Sequence, residues 1–288
     1  NKIKLANYLD NKRKFNIKNI NISTLYNKYP DIKYQKYDNK FKGIDKFKMY
    51  EYLNNKLLLS YSSIDNYYKC GFKYYLNNLL KITDFEETFA IKIGNIFHHV
   101  LEQAFKENFN MDECLNSYVK TLQLSKKEEV FLRKLKKDLI FIIETIKKQN
   151  QYSHLTEEEY EKKIYISKDK DIKVTFMGVI DKIKYKEIDG KTLIAIIDYK
   201  TGTPITNITA TYHGLDMQLP LYLYLSKNMG LENVEVVGFY LQKILNNELY
   251  YDSKQDYIKQ KENNLKLEGY SINNENLLEM FDNTYKDS

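Results

Sequence analysis

The chain has 288 residues, of which 45 are lysine or arginine and 39 are aspartate or glutamate, giving a net charge of +6. This length allows a sizeable core, and the charge permits nucleic-acid binding without arguing for it. Two cysteines, Cys70 and Cys114, are too few for a disulfide framework or a four-thiolate metal centre. The sequence contains no apolar run of transmembrane length and no signal peptide, which predicts a soluble protein in the cytoplasm.

Residues 1–58 are polar and rich in lysine, and we interpret them as a linker or the edge of a preceding domain. The main domain is then predicted to span residues 59–288. Apolar residues at helical spacing predict helices over 63–80, 91–108, 111–122 and 126–149. Strand patterns follow at 160–167, 172–186 and 192–199.

The last third of the chain continues the alternation of helices and strands. It contains a predicted helix at 215–228, strands at 233–241 and 247–251, and a tail with two helices and a short strand. This order of elements predicts an α/β fold in which a mixed central sheet has helices on both sides.

The strongest local signal is Asp189-Gly190, which lies between two strand-like runs and predicts a two-residue hairpin turn. Asp181 and Asp198 lie equally far before and after this turn, so we expect them to face each other across the hairpin. Lys200 falls on the same face as Asp198, because side chains alternate along a strand. Like charges placed opposite each other destabilise a sheet, so the pair predicts a bound divalent cation.

The predicted helix at 91–108 carries two adjacent histidines, which the phase of the helix separates. His98 lies beside the apolar stripe and is expected to face a half-buried cleft, whereas His99 points roughly the opposite way. Glu102 lies one turn beyond His98 on the same face. The stripe itself comprises Ile93, Ile96, Phe97, Val100, Leu101 and Ala104. A single helical histidine is usually structural or exposed, so His98 is a candidate only together with the hairpin.

Gln218 and Tyr222 form a further pair, one helical turn apart in the predicted helix at 215–228. Pro220 fits this helix if it starts near Met217, because first-turn amides have no partner within the helix. Taken alone, the pair reads as ordinary helix surface.

Together these segments resemble the PD-(D/E)XK nuclease superfamily, in particular its RecB-like exonuclease branch and most closely the C-terminal nuclease domain of AddB-type helicase-nuclease subunits. The resemblance covers residues 60 to 285. Asp-x-Lys or Gly-x-x-x-His alone is weakly specific, but the motifs occur in the expected order on the expected elements. They are 61–76 (YSSIDNYYKCGFKYYL), 94–102 (GNIFHHVLE), 178–181 (GVID), 198–202 (DYKTG) and 218–222 (QLPLY).

The resemblance implies that His98, Asp181 and Asp198 bind a catalytic Mg²⁺ or Mn²⁺, with the backbone carbonyl of Tyr199 as a further ligand. Hard divalent ions favour such oxygen ligands, and an imidazole shifts the preference somewhat towards Mn²⁺. The cation would polarise the scissile phosphate and activate a water for in-line attack. Lys200 would orient that water or offset charge on the phosphate.

Three further residues receive expectations from the same resemblance. The family pattern places Gln218 and Tyr222 at the edge of the site, in contact with Lys200 or the DNA backbone. Glu102 is either a support for the metal site or a helix-surface carboxylate, and the sequence does not choose between the two.

One departure from the family pattern concerns cysteine. Many AddB-type domains hold an iron-sulfur cluster on four cysteines, one at the position of Cys70 and three near the C-terminus. No cysteine follows Cys114 in this sequence. We therefore predict that the cluster is absent and that tyrosine-rich packing takes its place.

The implied function is a metal-dependent deoxyribonuclease, with exonuclease action favoured, in a helicase-nuclease of double-strand-break repair. The sequence lacks Gly-x-x-x-x-Gly-Lys-Ser/Thr, so it carries no ATP motor. Expected partners are DNA, as a single strand or a duplex end, the rest of a longer helicase-like polypeptide and a motor subunit, but no membrane.

Two alternatives remain at this point. A nuclease-fold domain that binds DNA as a scaffold without cutting is disfavoured because Asp181, Asp198 and Lys200 are all retained. A sequence-specific restriction-type endonuclease is disfavoured by the Gln-x-x-x-Tyr element and by the tyrosine-rich pattern at 61–76.

Overall fold

The computed structural model describes residues 2–16, 27–29, 43–82, 87–169, 171–202, 207–245 and 253–287. The chain divides into two compact units, Asn1–Met49 and Tyr50–Ser288. Helix α1 (Lys2–Lys14) belongs to the first unit, and helix α2 spans Lys46–Tyr52. The boundary near residue 58 that the sequence suggests stays a prediction.

The second unit contains strands and helices in the mixed order that the sequence predicts. In chain order they are β1 (Lys56–Leu59), α3 (Tyr61–Lys69), α4 (Gly71–Tyr74) with a π-helical turn (Tyr75–Leu79), α5 (Phe89–Gln103), α6 (Met111–Val119), α7 (Lys126–Asn150), β2 (Glu157–Asp169), β3 (Lys173–Ile188), β4 (Lys191–Lys200), α8 (Ile208–Thr211), α9 (Gln218–Lys227), β5 (Val234–Lys243), α10 (Lys254–Asn264), β6 (Leu267–Ser271) and α11 (Glu275–Phe281). The predicted fold class is confirmed.

One element prediction needs correction. The helix expected over 63–80 is interrupted at Cys70, whose backbone is extended and whose sulfur accepts a hydrogen bond from the Lys73 amide at the start of α4. The short strand β1 lies at the end of the segment that the sequence assigns to a linker or the edge of a preceding domain. The strand predicted at 247–251 lies outside the described residues.

The sheet is mixed and forks along β3. Strand β2 pairs antiparallel with β3 from residue 173 to residue 185 and so occupies one edge. On the other edge, β1 pairs parallel with residues 173–176 and β4 pairs antiparallel with residues 182–188. Among the described strands, none continues the ladder along residues 177–181 of that edge. Beyond β4 the sheet continues with β5, parallel, and β6, antiparallel.

The hairpin between β3 and β4 has the predicted turn and register. Asp189 (φ 51°) and Gly190 (φ 73°) both adopt the left-handed backbone that a two-residue type I′ turn requires. The ladder runs from Ile188 opposite Lys191 to Lys182 opposite Ile197. Asp181 and Asp198 are the next residues beyond this last pair, where the fork opens.

Apolar packing covers both faces of the sheet. Strand β4 is buried on both sides, with Leu193, Ala195, Ile197 and Tyr199 in one core and Ile194 and Ile196 in the other. Helices α5, α6, α7 and α11 contribute to the first core and α9 to the second. The predicted apolar stripe of α5 is confirmed, because all of its residues are buried. No helix among the described residues is long and apolar enough to cross a membrane.

Gly178 lets α9 approach β3 closely. A Cβ atom there would lie 2.5 Å from Cδ1 of Leu225 and 3.2 Å from Cε1 of Tyr222. We expect Gly178→Ala to lower the free energy of unfolding by about 1–3 kcal/mol through overpacking, measured by urea denaturation. Gly94→Ala is the matched control, since its Cβ would meet only Thr201 Oγ1 at the ordinary distance of 3.5 Å. Equal stability of the two variants would contradict this account.

Candidate active site

Three carboxylates lie at one level on adjacent strands beside the fork. In the β2–β3 ladder, Tyr160 pairs with Lys182 and Lys162 pairs with Ile180, which puts Glu161 opposite Asp181. Asp198 follows Ile197, the last residue of β4 that pairs with β3. Glu161 has a left-handed backbone (φ 48°), so the strand is locally distorted where it meets the site.

His98 on α5 joins Glu161 and Asp181. Its Nδ1 atom lies 3.3 Å from Oε1 of Glu161 and 3.3 Å from Oδ1 of Asp181. The other oxygen of Asp181 accepts a hydrogen bond from the Tyr199 amide at 2.6 Å, which fixes the carboxylate. Burial of the imidazole disfavours its charged form, but the hydrogen bonds to Asp181 and Glu161 outweigh burial and raise the pKa of His98 to about 10.

These three side chains suit a divalent cation. Among the described residues, His98, Glu161 and Asp181 offer ligand atoms that all lie within 4.8 Å of one another. Mn²⁺ binds carboxylate and imidazole ligands readily. Mg²⁺ prefers oxygen ligands, which the two carboxylates supply. The two carboxylates carry two negative charges, and the protonated imidazole of His98 balances only one of them. The donor set therefore fits the cation that the sequence implies, with Glu161 added.

Asp198, Lys200 and Gln218 form a second, linked group. Asp198 is only 2% exposed, and its Oδ2 atom lies 2.5 Å from Nζ of Lys200. The Gln218 side chain, at the start of α9, donates a hydrogen bond to Oδ1 of Asp198 and accepts one from Nζ of Lys200 at 3.0 Å. One amide group thus holds both the carboxylate and the ammonium.

The electrostatics of this second group reflect burial. Burial and the negative charge of Asp181 raise the pKa of Asp198, although Lys200 opposes the shift. Burial disfavours the charged form of Lys200, yet the adjacent Asp198 carboxylate outweighs it and raises the pKa of Lys200. The ammonium therefore stays charged next to the cation-binding group.

The predicted ligands do not all fall in one cluster. His98 and Asp181 lie together, whereas both oxygens of Asp198 are engaged by Lys200 and Gln218. The physical reason is that a buried carboxylate takes the nearest cationic and amide donors. Tyr199 lies between the two groups, with its amide bound to Asp181 and its ring centroid 6.3 Å from that of His98.

Tyr222 lies where α9 packs against β3. Its hydroxyl donates a hydrogen bond to the Val179 carbonyl at 2.6 Å, and the residue is only 3% exposed. Burial, followed by the charge of Asp198, raises its pKa, so the phenol stays neutral. Tyr222 thus ties α9 to β3 two residues before Asp181.

Three other residues that the sequence singles out lie apart from the ligand cluster. Glu102 pairs with Lys106, just beyond the end of α5, at 3.6 Å. His99 stacks on Tyr118 with ring centroids 4.3 Å apart. Cys70 is exposed at the junction of α3 and α4.

Glu161 is not among the residues that the sequence predicts for the site. Its signal was available, because the two strand-like runs at 160–167 and 172–186 are joined by a short connection. Pairing them antiparallel places Glu161 opposite Asp181. The connection contains no Asp-Gly pair, so the sequence specifies this register less strongly than that of β3 and β4.

A network of buried lysines, which the sequence does not predict either, supports the site from the side of the sheet that faces the first core. Lys182, next to Asp181, is 1% exposed, and its Nζ lies 2.7 Å from Oδ1 of Asn150 on α7 and 3.2 Å from Oε1 of Glu158 on β2. Burial lowers the pKa of Lys182 to about 8, although the charge of Glu158 opposes this. Lys184 shares the same carboxylate oxygen at 3.3 Å. The network joins β2, β3 and α7 beneath the ligands.

The fold and the site define a class of protein. Residues 58–283 match the PD-(D/E)XK nuclease superfamily, and the chain belongs to it. The family and fold that the sequence predicts are therefore confirmed.

Its relatives include several proteins whose names describe them as a subunit of an ATP-dependent helicase/deoxyribonuclease. The one from Clostridium perfringens is 28% identical over 279 residues, covering 82% of this chain and 24% of that protein. The one from Carboxydothermus hydrogenoformans is 28% identical over 275 residues, covering 82% and 25%. The one from Clostridium botulinum is 25% identical over 288 residues, covering 86% and 25%. The chain thus spans about a quarter of the length of these relatives.

Proposed function

We propose that this chain is a divalent-metal-dependent deoxyribonuclease module that hydrolyses phosphodiester bonds, acting as an exonuclease. The observation that carries the proposal is the junction at the fork of β3. There the His98, Glu161 and Asp181 cluster meets the Asp198, Lys200 and Gln218 group, within a chain of a nuclease superfamily.

The first role of the site residues would be to bind the cation. His98, Glu161 and Asp181 would hold the cation, with Asp198 and the backbone carbonyl of Tyr199 completing the set. A bound Mg²⁺ or Mn²⁺ would supply Lewis-acid activation of the scissile phosphate and of the attacking water.

The other contacts position these groups. The Tyr199 amide holds the Asp181 carboxylate in one orientation. The Lys200 ammonium offsets charge that develops on the phosphate or orients the water. Gln218 fixes that ammonium relative to Asp198, and Tyr222 fixes the helix that carries Gln218.

We base the proposed assembly and cellular process on the names of the relatives. Each is called a helicase/deoxyribonuclease subunit, and this chain aligns with about a quarter of its length. We propose that the module acts on DNA in the cytoplasm, as part of a larger helicase-like polypeptide with a motor subunit, in double-strand-break repair. The absence of an iron-sulfur cluster from this chain also stays a prediction, which a brown chromophore in freshly purified protein would contradict.

Metal removal tests the proposed activity. End-labelled single-stranded DNA should be cut in Mg²⁺ or Mn²⁺, and EDTA should abolish cleavage until the cation is restored in excess. Asp198→Asn should remain inactive at every cation concentration. If wild type binds the DNA but leaves it intact with either ion, with and without a motor partner, the DNA-binding scaffold becomes the better account.

A further inference from the structure

The bridge that Gln218 forms depends on where α9 begins. Gln218 is the first residue of α9, and its single amide group contacts both Asp198 and Lys200. A small shift of this first turn would loosen both contacts together. A further contact is therefore needed to fix the position of the start of α9 relative to β4.

The start of α9 has weak support from its own sequence. The residue before it is Met217, whose thioether is a poor hydrogen-bond acceptor for free amides at a helix start. Pro220 suits a first turn but adds no hydrogen bond from its nitrogen. The unpaired amides at this helix start, which include that of Met217, thus need an acceptor from elsewhere in the fold.

Asp65 on α3 supplies that acceptor. Its Oδ1 atom accepts a hydrogen bond from the Met217 amide at 3.0 Å, across 152 residues of sequence. The side chain of Asp65 is 14% exposed, and its Oδ2 atom lies 3.6 Å from Nζ of Lys69. A carboxylate beside the positive end of a helix is also electrostatically favourable.

A second contact between the same helices supports this role. Tyr61 lies one turn before Asp65 on α3, and its ring packs edge-on against that of Tyr222, with centroids 6.1 Å apart. Tyr61, Asp65, Lys200 and Gln218 line one cavity of about 210 Å³. The face of α3 that carries Tyr61 and Asp65 therefore contacts α9 at two levels, next to the proposed catalytic lysine.

We propose that Asp65 is a positioning residue of the site. By holding the Met217 amide, it sets the first turn of α9 so that Gln218 bridges Asp198 and Lys200. Asp65 itself contacts neither DNA nor the cation in this role. The proposal rests on the proposed nuclease function for its kinetic effect, but its structural effect is measurable without substrate.

Hydrogen exchange tests the structural effect. In Asp65→Ala, the amides of Met217, Leu221 and Tyr222 should exchange faster than in wild type, because Met217 donates to Asp65 and the other two begin the hydrogen bonding of α9. Asp65→Asn keeps an acceptor oxygen and should restore slow exchange. Asn110→Ala is the control. It removes the side-chain acceptor for the first amides of α6, a helix that contributes no residue to the described site. Unchanged exchange in Asp65→Ala would overturn the proposal, whether or not the protein cuts DNA.

A double-mutant cycle tests the kinetic effect. We expect Asp65→Ala to lower kcat by about 10- to 100-fold, since small misplacements at a reacting centre have effects of this size. KM for DNA should be nearly unchanged, and Asp65→Asn should recover most of the rate. In a Gln218→Ala background, Asp65→Ala should have little further effect, because both act through the same bridge. Full additivity would overturn the proposed route through Gln218.

Hydrogen exchange and DNA cleavage test the positioning role of Asp65 and the nuclease function separately. Wild type without any cleavage would count against the nuclease function, while the exchange data would still decide whether Asp65 holds α9. Faster exchange in Asp65→Ala with an unchanged kcat would show that the contact is only structural and would overturn the positioning role.

Discussion

Replacing Asp181 with asparagine should abolish metal-dependent DNA cleavage, lowering kcat by about 10³-fold or more, as expected for a change worth several kcal/mol in the transition state. Asp181 is at the centre of the ligand cluster, with one oxygen next to His98 and the other bound to the Tyr199 amide. Asparagine keeps the shape and can still accept the Tyr199 hydrogen bond. The loss therefore isolates the negative charge that a cation needs.

The matched control for Asp181→Asn is Glu187→Gln, which removes a carboxylate from an exposed position of the same strand. It should cut DNA at the wild-type rate. Isothermal titration should show that Asp181→Asn, but not Glu187→Gln, loses Mn²⁺ affinity. Wild-type Mn²⁺ affinity in Asp181→Asn would contradict the assignment of this residue as a ligand.

Replacing Lys200 with methionine should lower kcat by about 10²- to 10³-fold, the usual effect of removing one group that stabilises developing charge. In contrast to the Asp181 variant, its Mn²⁺ affinity should be equal to that of wild type or higher. The reason is that the Lys200 ammonium lies 2.5 Å from Asp198 and competes with a cation for that carboxylate. Single-turnover cleavage and calorimetric titration measure the two effects separately.

Lys243→Met is the control for Lys200→Met. Lys243 is the register partner of Lys200 on β5, but it lines a different cavity with Asp138 and Phe141. It should leave both kcat and Mn²⁺ affinity unchanged. A fall in Mn²⁺ affinity in Lys200→Met alone would instead give this lysine a structural role in forming the cation site.

The hairpin and α5 were predictable because local chemistry determines them. Asp189-Gly190 specifies the turn type, and a two-residue turn fixes the register along β3 and β4. The phase of α5 follows from its apolar stripe, which separates His98 from His99. In both cases, neighbouring residues contain the information.

The missed features depend on distant contacts. Strand β1 is only Lys-Leu-Leu-Leu, too short for a clear pattern, and its pairing with β3 brings together segments far apart in sequence. The break at Cys70 lies within residues that keep helical spacing on both sides. The burial of Tyr222 results from the close approach of α9 to Gly178. Periodicity within one segment does not report such contacts.

The position of a bound cation tests the proposed metal ligands most directly. Crystals grown with Mn²⁺ and measured at an energy where manganese scatters anomalously would locate the ion without reference to activity. We expect an anomalous peak within coordination distance of His98, Glu161 and Asp181. A protein that cleaves DNA in Mn²⁺ but binds the ion elsewhere, or that leaves this cluster empty in the crystal, would contradict it.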